Sequence, residues 1–341
     1  MKKIIQEGLA KAEIDEREKI SKELDVFYNP VMKNNRDISV MILNSIPNKN
    51  MQIGLPMEAS GIRGIRFIKE ARKGKIKNVS FNDNSLDAVK AMKKNLKMNK
   101  IRKNIQVSCS DANLFLLNST GFDYIDIDPF GSPNKFLDSA VKRISRNGIL
   151  AVTATDTSNL AGTYKEACIR KYWSVPIDNE LRHEIGVRIL IRKVQLVGAQ
   201  YEKAMVPIFS YFKDHYYRIF FCCEKGKKKV DEVMRLHGYF KEAGPIWLGD
   251  LWDDKIADKI SKCKDELRPF LQRIALESKI KTVGFFDVHA ECKRKHIKVN
   301  HKIDELMEKI RNKGFKAERT HFSDTGIRSD ITITEFLKML D

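Results

Sequence analysis

The chain has 341 residues, with 63 Lys and Arg against 45 Asp and Glu, a net charge of +18. One core rarely serves that length, so two domains are expected, and the positive surplus points to a polyanion as partner. The six cysteines, at 109, 168, 222, 223, 263 and 292, form no C-x-x-C pair, which excludes a zinc ribbon and a disulfide framework. The opening Met1-Lys2-Lys3-Ile4-Ile5 is too brief and too soon charged for a signal peptide. No apolar run approaches ~18 residues, so a soluble, intracellular protein is expected, with no membrane partner.

Met51 to Met57 reads as a strand that runs into Ala59-Ser60-Gly61-Ile62-Arg63-Gly64-Ile65-Arg66, which opens a helix. Glycines at such a turn let a cofactor approach the backbone. Only Gly61 and Gly64 are present, and Arg63 would crowd a pyrophosphate, so the spacing is not the dinucleotide fingerprint. A different adenosine cofactor is favoured. A second strand, Asn78 to Phe81, ends at Asn82-Asp83, where an acid can bind both hydroxyls of a ribose. A third, Ile105 to Cys109, ends at Ser110-Asp111-Ala112; there Asp111 can accept from an adenine amine while the Ala112 N–H faces a ring nitrogen. Each acid alone reads first as a turn or cap residue, ahead of a ligand.

The apolar run Phe122 to Ile127 is a buried strand, followed by Asp128-Pro129-Phe130-Gly131-Ser132-Pro133. In open α/β sheets ligands bind outside the carboxyl ends of strands, so this trio can face a substrate. A planar amine fits: its N–H bonds go to Asp128 and a backbone carbonyl while Phe130 stacks on the ring. Holding both N–H bonds localises the nitrogen lone pair and aims it at a methyl donor, and Asp128 can take the released proton. The alternative is that Pro129 and Gly131 merely turn the chain and Asp128 caps a helix beginning near Asn134. Three acids at successive strand ends favour the cofactor reading, and S-adenosylmethionine combines adenine, ribose and a methyl donor.

Further along, Glu180 to Gln200 is helical, and Ala204 to Phe212 and Tyr216 to Cys223 are strands joined by the Lys213-Asp214-His215 turn, an antiparallel edge. The run Glu224-Lys-Gly-Lys-Lys-Lys229 then marks a boundary, giving domains 1–224 and 225–341. The first holds 37 basic and 25 acidic side chains, net +12, the second the other 26 and 20, net +6. Lys255 to Lys264 and Ile303 to Lys313 show helical spacing, Thr282 to Val288 reads as a strand, and Trp247 and Trp252 read as core. His289, His296 and His301 near Cys292 match no ligand spacing, and Lys293, Arg294 and Lys295 would repel a cation, so no metal is expected.

Taken together, these motifs resemble a known family. Asp128 to Pro133, the Gly61-Ile-Arg-Gly-Ile-Arg66 turn, Phe27-Tyr-Asn-Pro30 and Asn35-Arg36-Asp37 look like the tRNA (guanine-26-N2)-dimethyltransferases. So do Gly244-Pro-Ile-Trp-Leu-Gly249 and Arg319-Thr-His-Phe322 in the C-terminal half. The resemblance implies a class I, Rossmann-like α/β methyltransferase domain with a mixed seven-stranded sheet, and a smaller mixed α/β C-terminal domain that binds tRNA. It implies S-adenosylmethionine-dependent methylation, once or twice, of the N2 amine of guanine 26. The cysteines fit a reducing cytosol, so a cytoplasmic protein is expected, with a monomer as the default. By motif, Arg36, Arg66, Asp83, Asp111 and Ala112 would hold the cofactor with help from Arg63; Asp128, Pro129 and Phe130 would hold the guanine, with Phe27 a second aromatic. Two departures stand out: Leu55-Pro56 replaces an acidic residue of the first strand, with Glu58 nearer the turn, and no cysteine pair precedes Gly244. The rival functions are amino-methylation of another nucleobase and non-catalytic RNA binding.

Overall fold

The computed structural model describes residues 2–15, 28–298 and 302–340. Two compact units interleave along the chain: Met1–Thr155, Gln195–Val206 and Phe220–Val230 form the first, and Asp156–Val194, Pro207–Ile219 and Asp231–Asp341 the second. The boundary expected near residue 224 falls inside the last return segment of the first unit. Segments 156–194 and 207–219 belong instead with the C-terminal residues.

The first unit opens with β1 (Lys2–Glu7) and β2 (Ala10–Asp15), an antiparallel hairpin turned at Gly8. Beyond it α1 (Lys33–Ser45) follows a single 3-10 turn whose start is capped by Asn29. Strands and helices then alternate: β3 (Met51–Leu55), α2 (Ile62–Glu70), β4 (Ile76–Asp83), α3 (Leu86–Met98), β5 (Ile105–Cys109), α4 (Ala112–Leu117), β6 (Phe122–Ile127), α5 (Asn134–Arg143) and β7 (Ile144–Ala154). The chain then passes into the second unit for α6 (Thr157–Leu160), α7 (Lys165–Tyr172) and most of α8 (Arg182–Ala199), after which comes the hairpin β8 (Lys203–Lys213) and β9 (Tyr216–Lys225). Nine strands are thus read in order, and the last seven form one mixed sheet in the order β5-β4-β3-β6-β7-β9-β8, parallel from β5 through β7.

Burial explains the centre of this sheet. Ile53, Leu55, Tyr124, Ile125 and Ile127 are fully buried, the continuous apolar run that a strand covered on both faces requires. The chain leaves β3 for β4 and β5 on one side, then returns to β6 on the other. β3 and β6 therefore flank the topological switch point, where open α/β sheets bind ligands.

Several expected bounds move for local reasons. β3 ends at Leu55, because Pro56 has no N–H for the ladder. β4 runs longer than Asn78–Phe81, since pairing with β3 and β5 carries it from Ile76 to Asp83.

In the second unit α9 (Lys227–Arg235), which starts in the first, precedes β10 (His237–Phe240), β11 (Ala243–Trp247), α10 (Asp254–Ile260), α11 (Arg268–Glu277), β12 (Phe286–Asp287), α12 (Val288–Lys295), α13 (Ile303–Asn312), β13 (Ala317–Arg319), β14 (Gly326–Ser329) and α14 (Ile333–Leu337). A three-stranded sheet, β12-β14-β13, packs with α12, α13 and α14 around Val288, Leu306, Ile310, Ile327 and Phe336. The strand expected over Thr282–Val288 shrinks to two residues, because the Asp287 carboxylate caps α12 by accepting from the Ala290 N–H. Trp247 and Trp252 are core residues, their indole N–H groups donating to the Asp250 and Ser210 carbonyls. No helix among the described residues is long and apolar enough to cross a membrane.

Candidate active site

Four strand ends in the first unit meet at one cavity of about 510 Å³, within the ~300–1,000 Å³ typical of small-molecule sites. Its wall comprises Pro56 to Ser60 after β3, Asp83 to Ser85 after β4, Asp111 and Ala112 after β5, and Asp128 to Phe130 after β6. Tyr28, Asn29, Met32 and Arg36 close one side.

Each acid is fixed by its own backbone. Asp83 Oδ2 accepts from the Ala59 N–H at 2.8 Å and Oδ1 from the Ser85 N–H at 3.0 Å. The first bond holds Ala59 at φ 46°, a left-handed conformation rare for alanine. Asp111 caps α4, with Oδ1 accepting from Asn113 and Leu114, while Oδ2 keeps no partner among the described residues. Asp111 therefore caps α4 and also lines the cavity. Ala112 heads the same helix, where its N–H has no intrahelical acceptor.

Asp128 is no cap: Pro133 precedes α5 without a side-chain bond, and Asp128 Oδ2 instead accepts from Arg63 Nη2. Arg63 is buried and is the hub of an acidic cluster. Its Nη1 donates to Asn35 Oδ1 at 2.9 Å and contacts Asp126 at 3.4 Å, and its Nε lies 3.8 Å from Glu58. One guanidinium faces three carboxyls. Burial pushes the Glu58 carboxyl up to about 8, helped by Asp126 and Asp128 and opposed by Arg63 and the Gly64 N–H, so Glu58 is neutral at pH 7. Phe130 is 46% exposed, and Gly131 after it pairs with Thr155 at the end of β7.

The two glycines of the α2 turn serve the core rather than a ligand. A Cβ on Gly64 would sit 2.2 Å from the Phe81 ring, and Gly61, at φ 76°, faces Met92. Neither lines the cavity. Close packing of α2 on the sheet is what needs Gly64, and it brings Arg63 within reach of Asp128.

Arg36 forms a buried ion pair. Its Nε and Nη2 bind the Glu7 carboxylate at 2.7 and 2.6 Å, leaving Nη1 without a partner among the described residues on a side chain that lines the cavity. Arg66 does not line it: its guanidinium is held by Glu7 at 2.8 Å, Glu70 at 2.9 Å and Asp37 at 2.5 Å. Burial raises the Glu7 carboxyl, yet Arg36 and Arg66 outweigh it and hold the group at about 2. Phe27 lies outside the described residues.

The family model for N2,N2-dimethylguanosine tRNA methyltransferases matches residues 8–242 and 238–341. The chain belongs to this family. Among its relatives, the tRNA (guanine(26)-N(2)/guanine(27)-N(2))-dimethyltransferase of Aquifex aeolicus is 36% identical over 99% of this chain and 95% of its own. The tRNA (guanine(26)-N(2))-dimethyltransferase of Pyrococcus horikoshii is 37% identical over 98% and 97%. The solved structure of Trm1 from Pyrococcus horikoshii with S-adenosyl-L-methionine superposes with a TM-score of 0.90 at 35% identity, covering 98% of this chain and 99% of that one.

Sequence reasoning missed Glu7, Asn35 and Ser39, which orient the two arginines that line the cavity, Arg36 and Arg63. Asn35 stood in a motif already singled out, two residues before Asp37, which pairs with Arg66. Glu7 had only the adjacent Gly8 and the alternation of Ala10, Ala12 and Ile14 to mark a hairpin.

Proposed function

We propose that this protein transfers one or two methyl groups from S-adenosylmethionine to the exocyclic N2 amine of guanine 26 in tRNA. The reading is carried by one observation: Asp128, Pro129 and Phe130 line the same cavity as Asp83, Asp111 and Ala112. The cavity residues suit the cofactor. Asp83 offers a pre-oriented carboxylate for ribose hydroxyls, Asp111 Oδ2 an acceptor for the adenine amine, the Ala112 N–H a donor for a ring nitrogen, and Arg36 Nη1 a donor for the cofactor's carboxylate. Arg66 supports this indirectly, by holding Glu7 against Arg36, and Arg63 by holding Asp128.

When bound, S-adenosylmethionine supplies an electrophilic methyl group on a sulfonium. The protein's task is to present the amine. Arg63 occupies Asp128 Oδ2, so Oδ1 accepts an amine N–H and then the proton lost as the N–C bond forms. Phe130 stacks on the purine, with Phe27 as a second aromatic. The neutral Glu58 lets Arg63 serve Asp126 and Asp128 rather than a third charge. Residues 225–341, net +6, grip tRNA phosphates and support the cost of exposing the base. We assign this work to a cytoplasmic monomer without a metal.

Unmodified tRNA incubated with protein and S-adenosylmethionine, then digested and weighed by mass spectrometry, should yield N2-methylguanosine and N2,N2-dimethylguanosine, lost when guanine 26 is changed. Methylated adenosine or cytidine would point to another nucleobase, and unmodified tRNA to a binding protein.

A further inference from the structure

The third tryptophan differs from the two buried ones. Trp173 follows α7, is 51% exposed and adopts φ 57°, ψ 41°, a conformation that non-glycine residues rarely take. Lys193 Nζ sits 3.0 Å from its ring centroid, covering one face. Arg192 Nη1 donates to the Trp173 carbonyl at 3.0 Å. Val175 and Gly244 then exchange N–H···O bonds of 2.9 Å, which ties this corner to the β10–β11 hairpin. Tyr239 packs beside Gly244, is 72% exposed and lies near Arg192.

Arg192 and Lys193 are adjacent cations, yet neither has a carboxylate partner among the described residues. Arg192 Nε is buried with no hydrogen bond. Burial, and then Arg192 itself, hold the Lys193 ammonium at about 8. Lys193 is buried and Arg192 half-buried, and cations withdrawn from water are normally paired, so this arrangement lacks an anion. Arg170, exposed on the last turn of α7, adds a further positive charge. An anion carrying a flat apolar ring would satisfy both the cations and the exposed indole.

We infer that Trp173, with Arg192 beside it and Tyr239 at its margin, is a docking site for one unstacked nucleotide of the RNA substrate, the base on the indole face turned away from Lys193 and the phosphate at Arg192. The inference rests on the tRNA reading above. The protein's charge excess and the lack of any acid partner for Arg192 or Lys193 favour RNA over an acid-poor protein surface.

The full-length protein is titrated with unmodified tRNA at several salt concentrations, as wild type, Trp173→Ala, Trp173→Tyr and Arg192→Gln, with S-adenosylmethionine affinity measured in parallel. Trp173→Ala should weaken tRNA binding roughly tenfold and Trp173→Tyr should restore most of it, because stacking is what is lost. Arg192→Gln should lower the slope of log affinity against log salt by about 0.7, one phosphate contact to a single strand. Cofactor affinity should be unchanged throughout. Wild-type tRNA affinity and salt slope in Trp173→Ala and Arg192→Gln would overturn the inference while leaving the enzyme reading intact; wild-type protein that fails to bind tRNA would overturn both. If Trp173→Ala also melts earlier, Trp173→Tyr decides: a variant with wild-type melting temperature and weak tRNA binding counts against stacking. Self-association that Trp173→Ala abolishes while tRNA affinity stays unchanged would assign the surface to a second copy, and also overturns it.

Discussion

Two buried charge clusters, one in each unit, obey opposite rules. In the second unit Arg328 donates to Glu184 at 2.7 Å and Glu277 at 3.2 Å, Arg188 donates to Glu184 at 2.9 Å, and His321 closes on Glu277. The Arg328, Glu184 and Glu277 side chains have no exposure. Two arginines meet two glutamates and the remaining N–H groups reach carbonyls of Trp247, Gly249, Thr282 and Gly284. Around Arg63 in the first unit three carboxyls share one guanidinium, and Arg63, Glu58 and Asp128 all line a cavity. Burial and ion pairing are common to both clusters. What separates a site from a strut is an unbalanced charge count and atoms left facing open volume.

The sharpest way to break this comparison is to unbalance the sealed cluster. Arg328→Met should destabilise the protein by about 3–5 kcal/mol, because it leaves Glu184 and Glu277 short of a buried counter-ion. Thermal unfolding measures it, and a variant melting with wild type would mean the network holds little of the unit together. Next, Asp128→Asn should cut the methylation rate roughly 100-fold or more with tRNA affinity nearly unchanged, the scale of losing a placed proton acceptor. Full activity would reduce Asp128 to a partner of Arg63. A smaller effect concerns Glu58. Its folded pKa, about 8, lies above the ordinary 4.5, so between those values the folded state binds more protons and stability falls as pH rises. Glu58→Gln should flatten the pH dependence of unfolding in that window; an unaltered slope would mean Glu58 is ionised. Smallest of all, Asp111→Asn keeps a capping oxygen and should weaken S-adenosylmethionine binding only severalfold, read by calorimetry.

The strand-end acids were legible because they depend on local order: apolar run, then acid, then turn. Asp83, Asp111 and Asp128 needed no knowledge of distant contacts, and β5, β6 and the start of α5 fall where the pattern puts them. Arg36 and Arg66 carry the same side chain at motif positions and share Glu7, yet only the first lines the cavity, because Asp37 and Glu70 take up the rest of the Arg66 guanidinium. The division into units was obscured for the same reason. Arg188 on α8 reaches the carbonyls of Trp247 and Gly249, and Trp252 reaches Ser210 on β8, contacts between segments far apart in sequence. Trp173 gave no signal at all, since exposure at a helix end leaves no periodicity to read.

Glu7 also joins the first strand of the chain to the cavity through a single carboxylate. Suppose a ligand binds Arg36 more tightly when that arginine is clamped than when it is released. Thermodynamic reciprocity then requires the same ligand to hold the hairpin down by an equal free energy. Amide hydrogens of Ile4 to Glu7 should therefore exchange more slowly when the cavity is filled, so that the N-terminal hairpin serves as a built-in reporter of occupancy, read without following the reaction at all.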